Sequence, residues 1–154
     1  DRISLHGTGG DDALVGTAGG DRIYGRSGND TVAGGDGSDL IMGNRDSDTL
    51  SGDGGRDNLF GGAGVDRLAG GPGNDRLDGG KGADVFAFSP GDGRDRIVGF
   101  GAGDRIDLTA FEATKGDLRL LDGDGGTQVR IGDVRIMLVD VERQAVDRGD
   151  DFIL

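Results

Sequence analysis

Nine aspartates stand at intervals of nine: Asp12, Asp21, Asp30, Asp39, Asp48, Asp57, Asp66, Asp75 and Asp84. Glycine keeps the same interval from Gly7 to Gly79, and a large apolar residue follows each aspartate by two positions, from Leu14 through Ile23, Val32, Ile41, Leu50, Leu59, Leu68 and Leu77 to Phe86. Carboxylates set in glycine-rich backbone are the ligands of a hard divalent cation, which takes about six to eight oxygens from Asp side chains and main-chain carbonyls. Aspartate also forms turns without any metal. A column of nine carboxylates with no counterion would repel strongly, however, which favours the metal reading. Catalytic chemistry has little support: His6 is the only histidine, and neither H-E-x-x-H nor G-x-S-x-G occurs. A carboxylate pair for glycoside hydrolysis competes with a bound cation for the same aspartates.

These spacings define the elements that must position the aspartates. In each repeat the first six residues can form a turn, with glycines supplying positive φ, and the last three, such as Arg67-Leu68-Ala69, a very short strand. Two repeats then make one coil of eighteen residues with a strand on each side, and stacked coils lie about 4.8 Å apart. The apolar residues, Leu5 included, point inward to a thin core.

Composition narrows the rest. A chain of 154 residues suits one domain with an appended cap. Thirty-five glycines and 33% hydrophobic residues would suit a disordered polymer, so order rests on the periodicity. The net charge of −12 lies mostly on regularly placed aspartates and leaves no basic stripe for phosphates, which argues against nucleic acid. There is no cysteine, hence no disulfide or thiolate site, and no apolar run approaches the roughly 18 residues of a membrane-spanning helix. A start at Asp1 without Met or a leader is expected of a piece excised from a longer protein with a further N-terminal domain.

The repeat reads G-G-x-G-x-D-x-U-x, with U large and apolar. Its fullest copies are Gly61-Gly62-Ala63-Gly64-Val65-Asp66-Arg67-Leu68, Gly70-Gly71-Pro72-Gly73-Asn74-Asp75-Arg76-Leu77 and Gly79-Gly80-Lys81-Gly82-Ala83-Asp84-Val85-Phe86. Over residues 7–87 this resembles the calcium-binding nonapeptide of RTX proteins. The resemblance implies an all-β fold, a right-handed parallel β-roll (β-solenoid) of nine repeats over residues 1–87. It also implies Ca2+ ions held between successive loops of one edge, by the nine aspartates and by backbone carbonyls. Those carbonyls are at Gly16, Gly25, Ser27, Gly34, Asp36, Gly43, Gly52, Gly54, Gly61, Ala63, Gly70, Pro72, Gly79 and Lys81. Loops alternate between edges, so about seven ions are expected. The fifth repeat, Gly43-Asn44-Arg45-Asp46-Ser47-Asp48, departs from the pattern and is expected to be weakest. Thr8, Thr17 and Arg26 replace the second glycine of the first three repeats and put full occupancy there in question. RTX proteins stay unfolded in calcium-poor cytosol, leave through a type I channel and fold outside the cell, and the resemblance implies the same here.

After Phe86 the register stops, and residues 88–154 are read as a mainly antiparallel cap. Phe86 to Ile97 and Gly103-Asp104-Arg105-Ile106-Asp107-Leu108 resemble the C-terminal portion of serralysin-type secreted metalloproteases. Strands are expected at Leu118–Leu121, Thr127–Ile131 and Val134–Val139, the last two joined by Gly132-Asp133. Asp150-Asp151-Phe152-Ile153-Leu154 resembles the terminal signature of proteases exported by type I machinery, with an ordinary last strand as the alternative. Asp122-Gly123-Asp124-Gly125-Gly126 lacks the later ligands of an EF-hand and reads as a turn. Asn29-Asp30-Thr31 fits a glycosylation sequon inside a metal loop, and Arg148-Gly149-Asp150 reads as a chance tripeptide. Outward positions of the even repeats gather Tyr24, Leu40, Met42 and Phe60 into an expected contact stripe for a parent domain or a second copy. The leading function is a secreted, non-enzymatic calcium-folded module. The alternatives are a polysaccharide-binding accessory module, using Arg22, Arg67 and Arg76 on alginate-like chains, and a calcium-dependent matrix or adhesion component.

Overall fold

The computed structural model describes residues 1–146 and 150–154. Its strands, in chain order, are β1 (Ser4–His6), β2 (Ala13–Val15), β3 (Arg22–Arg26), β4 (Thr31–Ala33), β5 (Asp36–Gly37) and β6 (Leu40–Arg45). Next come β7 (Thr49–Ser51), β8 (Gly54–Gly55), β9 (Asn58–Ala63), β10 (Arg67–Ala69), β11 (Arg76–Lys81) and β12 (Val85–Ala87). The last are β13 (Arg94–Val98), β14 (Arg105–Asp107), β15 (Arg119–Gly123), β16 (Gly126–Ile131), β17 (Val134–Val139) and β18 (Phe152–Ile153).

The eighteen-residue coil is visible in the strand register. Ser4 pairs with Arg22, Arg22 with Leu40, Leu40 with Asn58 and Asn58 with Arg76, all in parallel. On the other side Ala13 pairs with Thr31, Thr31 with Thr49 and Thr49 with Arg67. The result is an all-β solenoid of about six turns. One nine-stranded sheet runs β1-β3-β6-β9-β11-β13-β17-β16-β15, and a seven-stranded sheet runs β2-β4-β7-β10-β12-β14-β18. The side chains between them are the nine-residue ladder: Ile23, Ile41, Leu59, Leu68, Leu77 and Phe86 have no exposure at all. Leu5 and Leu14, in the first coil described, are partly buried and pack against this core.

Parallel stacking passes residue 87. Arg76 pairs with Arg96 and Val85 with Arg105, so one further coil of twenty residues follows the eighteen-residue ones. Its core residues, Phe88, Ile97, Ile106 and Leu108, extend the same apolar column. The antiparallel elements then form close to where the sequence places them. β15, β16 and β17 pair antiparallel, with β16 and β17 joined at Gly132-Asp133, and Val134, Ile136 and Leu138 face the core. β17 also pairs in parallel with β13, so the hairpins continue the long sheet and cover its edge. Within Asp122 to Gly126, Asp124-Gly125 make the β15–β16 turn, as expected. The terminal Phe152–Ile153 pairs with β14 and ends the second sheet. Of Arg148-Gly149-Asp150, the first two residues lie outside the described ones. No helix among the described residues is long and apolar enough to cross a membrane.

Candidate metal centre

The turns between sheets place the aspartates in two columns, one along each edge of the roll. On one edge the N–H of Asp12 donates to Asp30 Oδ1 at 2.9 Å, that of Asp30 to Asp48 at 2.8 Å, Asp48 to Asp66 at 2.8 Å and Asp66 to Asp84 at 2.9 Å. On the other, Asp21 donates to Asp39 at 2.6 Å, and Asp39 to Asp57 and Asp57 to Asp75 at 2.8 Å each. One carboxylate oxygen of each interior aspartate thus locks its coil to the preceding one.

The other oxygen is unmatched. Oδ2 of Asp30, Asp39, Asp48, Asp57, Asp66, Asp75, Asp84 and Asp95 is buried without a hydrogen-bond partner among the described residues. A buried polar atom without a partner is costly, and eight in two regular columns, four along each edge, fit cation ligands. Burial pushes the carboxyl up to about 7 in Asp48 and Asp57, about 6 in Asp66 and about 8 in Asp95, with neighbouring aspartates adding to it and the received N–H bonds opposing. Asp30, Asp39, Asp75 and Asp84 are raised for the same first reason.

For Asp30, Asp39, Asp48, Asp57 and Asp66, Oδ2 and a carbonyl of the next coil both crowd the first glycine of the aspartate's own repeat. A Cβ on Gly25 would collide with Asp30 Oδ2 and stand 2.9 Å from the Gly43 carbonyl oxygen. At Gly34 it would meet Asp39 Oδ2 and stand 2.7 Å from the Gly52 oxygen, and at Gly61 it would meet Asp66 Oδ2 and stand 2.6 Å from the Gly79 oxygen. These positions are glycine because oxygens occupy the place of a side chain. The donor set is all oxygen and net negative, which fits calcium. Among the described residues no three His, Cys, Asp or Glu side chains converge on one point, so a bound ion would draw most of its ligands from carbonyls.

Of the other expected carbonyl ligands, those of Pro72 and Lys81 accept the N–H groups of Gly55 and Gly64 and keep a second lone pair. Asp36 and Gly54 face each other in the β5–β8 ladder, Ala63 pairs with Lys81, and Ser27 lies in the turn after β3.

The first two aspartates differ from the rest. Thr8 donates its N–H and its hydroxyl to Asp12 Oδ2 at 2.6 and 3.0 Å, and Thr17 does the same to Asp21 Oδ2 at 2.6 and 2.9 Å. Burial opposes ionisation of Asp21, but the N–H groups of Ile3 and Thr17 and the Thr17 hydroxyl prevail and lower its carboxyl pKa. The fifth repeat keeps the path of its neighbours: Asn44 and Asp46 take φ of 84° and 71° where the pattern has glycine. Asn and Asp tolerate this region better than most residues.

Sequence reasoning missed Asp95 and Asp104, which extend the columns. Asp75 N–H donates to Asp95 Oδ1 and Asp84 N–H to Asp104 Oδ1, both at 2.9 Å. The signal was present: Asp95-Arg96-Ile97 and Asp104-Arg105-Ile106 repeat the D-x-U triplet nine residues apart, displaced by the longer Ser89–Gly93 turn. Asp104 Oδ2 accepts the Gly101 N–H at 2.8 Å, so the open oxygens end at Asp95.

The outward stripe is half-buried. Tyr24, Met42 and Phe60 follow one another across β3, β6 and β9, with His6 stacked on Tyr24 at 4.9 Å and the Arg76 guanidinium 5.0 Å from the Phe60 ring centre. Arg22, Arg67 and Arg76 do not share a surface. Arg67 belongs to the seven-stranded sheet and pairs with Asp107 at 2.8 Å, because residues nine apart fall on opposite sides of the coil.

Stacked parallel coils with carboxylate and carbonyl oxygens along both edges define a calcium-binding β-solenoid module. The family model for the RTX calcium-binding nonapeptide repeat (4 copies) matches residues 6–41, 34–68 and 60–92, more than half of the chain, and the chain belongs to that family. Among solved structures it is similar to the R2 subunit of AlgE6, a mannuronan C5-epimerase of Azotobacter vinelandii, at 24% identity over 92% of this chain and 91% of that one, with a TM-score of 0.54. The R3 subunit of the same epimerase is 28% identical over 96% of this chain and 80% of that one, with a TM-score of 0.47. The extracellular lipase LipA of Serratia marcescens is 18% identical with a TM-score of 0.46, and this chain spans 40% of its length. No curated protein matches the chain in sequence.

Proposed function

We propose that this chain is the calcium-driven folding module of a bacterial exoprotein exported by a type I system. The observation that carries the proposal is the eight buried, unpartnered Asp Oδ2 atoms, four along each edge of the roll. Without a cation the columns repel, and each coil buries only two ladder side chains against the ordering of eighteen or more glycine-rich residues. Binding free energy then becomes folding free energy, so the chain crosses a narrow channel unfolded and folds where calcium is plentiful. The open oxygens support seven to eight ions, starting at Asp30 and ending at Asp95. Residues 1–87 supply most of them, the coil that ends at β14 continues the roll, and the residues after it cap the roll and carry the export signal at Asp150–Leu154. The half-buried stripe of Tyr24, Leu40, Met42 and Phe60 is the proposed contact with a parent domain or a second copy.

Counting bound ions in the metal-free chain by equilibrium dialysis against calcium tests the reading. Seven or eight per chain are expected, with magnesium failing to replace them at equal concentration. One or two ions, or none, would remove the basis for it.

A further inference from the structure

Four arginines stand side by side at the C-terminal end of the nine-stranded sheet. Arg94 pairs with Arg135, Arg135 with Arg130 and Arg130 with Arg119 across β13, β17, β16 and β15. The residues after Arg94, Arg119 and Arg135 and before Arg130, namely Asp95, Leu120, Ile136 and Val129, are buried, so the arginines share the outward face. Arg94 and Arg119 are exposed, Arg130 and Arg135 half-buried. At the spacing of paired strands the row is about 14 Å long with one cation about every 4.8 Å. Like charges directly opposite one another weaken a sheet. Three such pairs in succession, in a chain of net charge −12, are not explained by stability. Among the described residues none of the four makes an ion pair. Asp124 lines a groove with Arg94 and Arg135, and Asp117 lines one with Arg119 and Arg130, neither bridging to the row.

We propose that this row binds a linear acidic polysaccharide carrying one carboxylate per sugar ring, one ring per strand. Each guanidinium presents a planar fork matched to a carboxylate, and the flat sheet face suits an extended chain. An extended acidic peptide would show its same-side carboxylates about 6.6 Å apart, out of step with the strands. Single-stranded nucleic acid draws affinity from aromatic stacking platforms, and the next outward row, Arg96, Met137, Gln128 and Leu121, offers none. Arg94 adjoins Asp95 at the end of one aspartate column, the other three arginines lie on the hairpins beyond it, and the row reaches beyond the folding role.

Calorimetry on the calcium-loaded full chain tests it, using a uronic acid oligomer too short to gel with calcium. Wild type is expected to bind, more weakly as salt rises, and R119Q/R130Q to bind at least about tenfold more weakly. R94Q, on the roll itself, provides a second reading should the hairpin variant fold poorly. R2Q/R105Q, with two exposed arginines away from the row, is expected to match wild type. Circular dichroism in calcium establishes separately that each variant folds, so a failed folding module and a failed binding surface are told apart. The proposal is overturned by no binding to wild type, by equal affinity in all folded variants, by preference for an oligothymidine, or by a dimer that R119Q/R130Q dissolves.

Discussion

At the scale of single residues, the two oxygens of each interior aspartate do different work: Oδ1 ties coil to coil and Oδ2 is left for a cation. Replacing Asp57 by Asn keeps a hydrogen-bond acceptor but removes the charge, and is expected to raise the calcium midpoint of folding several-fold. Replacing Asp12 by Asn, where Thr8 already serves Oδ2, is expected to leave that midpoint nearly unchanged; calcium titrations of both variants check the contrast. Proton competition gives a second expectation. In the metal-free fold the carboxyls of Asp48, Asp57, Asp66 and Asp95 lie at about 7, 7, 6 and 8, above the ordinary 3.8. The folded state therefore holds extra protons between these limits, and its stability falls as pH rises through about 6 to 8. In chelator, residual structure is expected to be greater at pH 5 than at pH 8.5, while saturating calcium, which keeps the same carboxylates ionised as they are in the unfolded chain, should abolish the difference. Ellipticity measured across pH in both conditions reads this out, and the reverse order in chelator, or an equal pH dependence in calcium, would contradict it.

At the scale of elements, each turn is fixed by what its first glycine leaves room for. Alanine at Gly61 would drive a methyl group into Asp66 Oδ2 and toward the Gly79 carbonyl. Gly61→Ala is expected to cost more calcium for folding than Gly9→Ala, whose added Cβ meets nothing within 4 Å. The cap is tested by Ile136→Ala, which opens a cavity at a fully buried position of β17 and is expected to cost about 2–5 kcal/mol in denaturant unfolding of the calcium-loaded protein. The strands were legible because the period is short and invariant: Leu59, Leu68 and Leu77 could face only inward in any coil of eighteen. β13 and β14 were less legible because the longer Ser89–Gly93 turn displaces Asp95 and Ile97 from the register while leaving their D-x-U triplet intact. β18 could not be read from its two residues, since its pairing with β14 is set by the path of the chain across the cap.

At the scale of the whole molecule, the roll is nearly one-dimensional: each coil touches its neighbours, and the core is one side chain deep on each side. The columns of the candidate site were legible for the same reason, since a fixed nine-residue step on an eighteen-residue coil puts alternate aspartates on opposite edges. Thr8 and Thr17 stood out in the sequence as departures, but their bonds to Asp12 and Asp21 did not, because those contacts depend on the fold of each turn. The most direct test is far-UV circular dichroism of the metal-stripped chain during calcium titration, with magnesium as control. A cooperative coil-to-β transition produced by calcium and not by magnesium is the expected result. A chain already folded in chelator at pH 8.5, or indifferent to calcium, would contradict the account and leave the aspartates as turn residues.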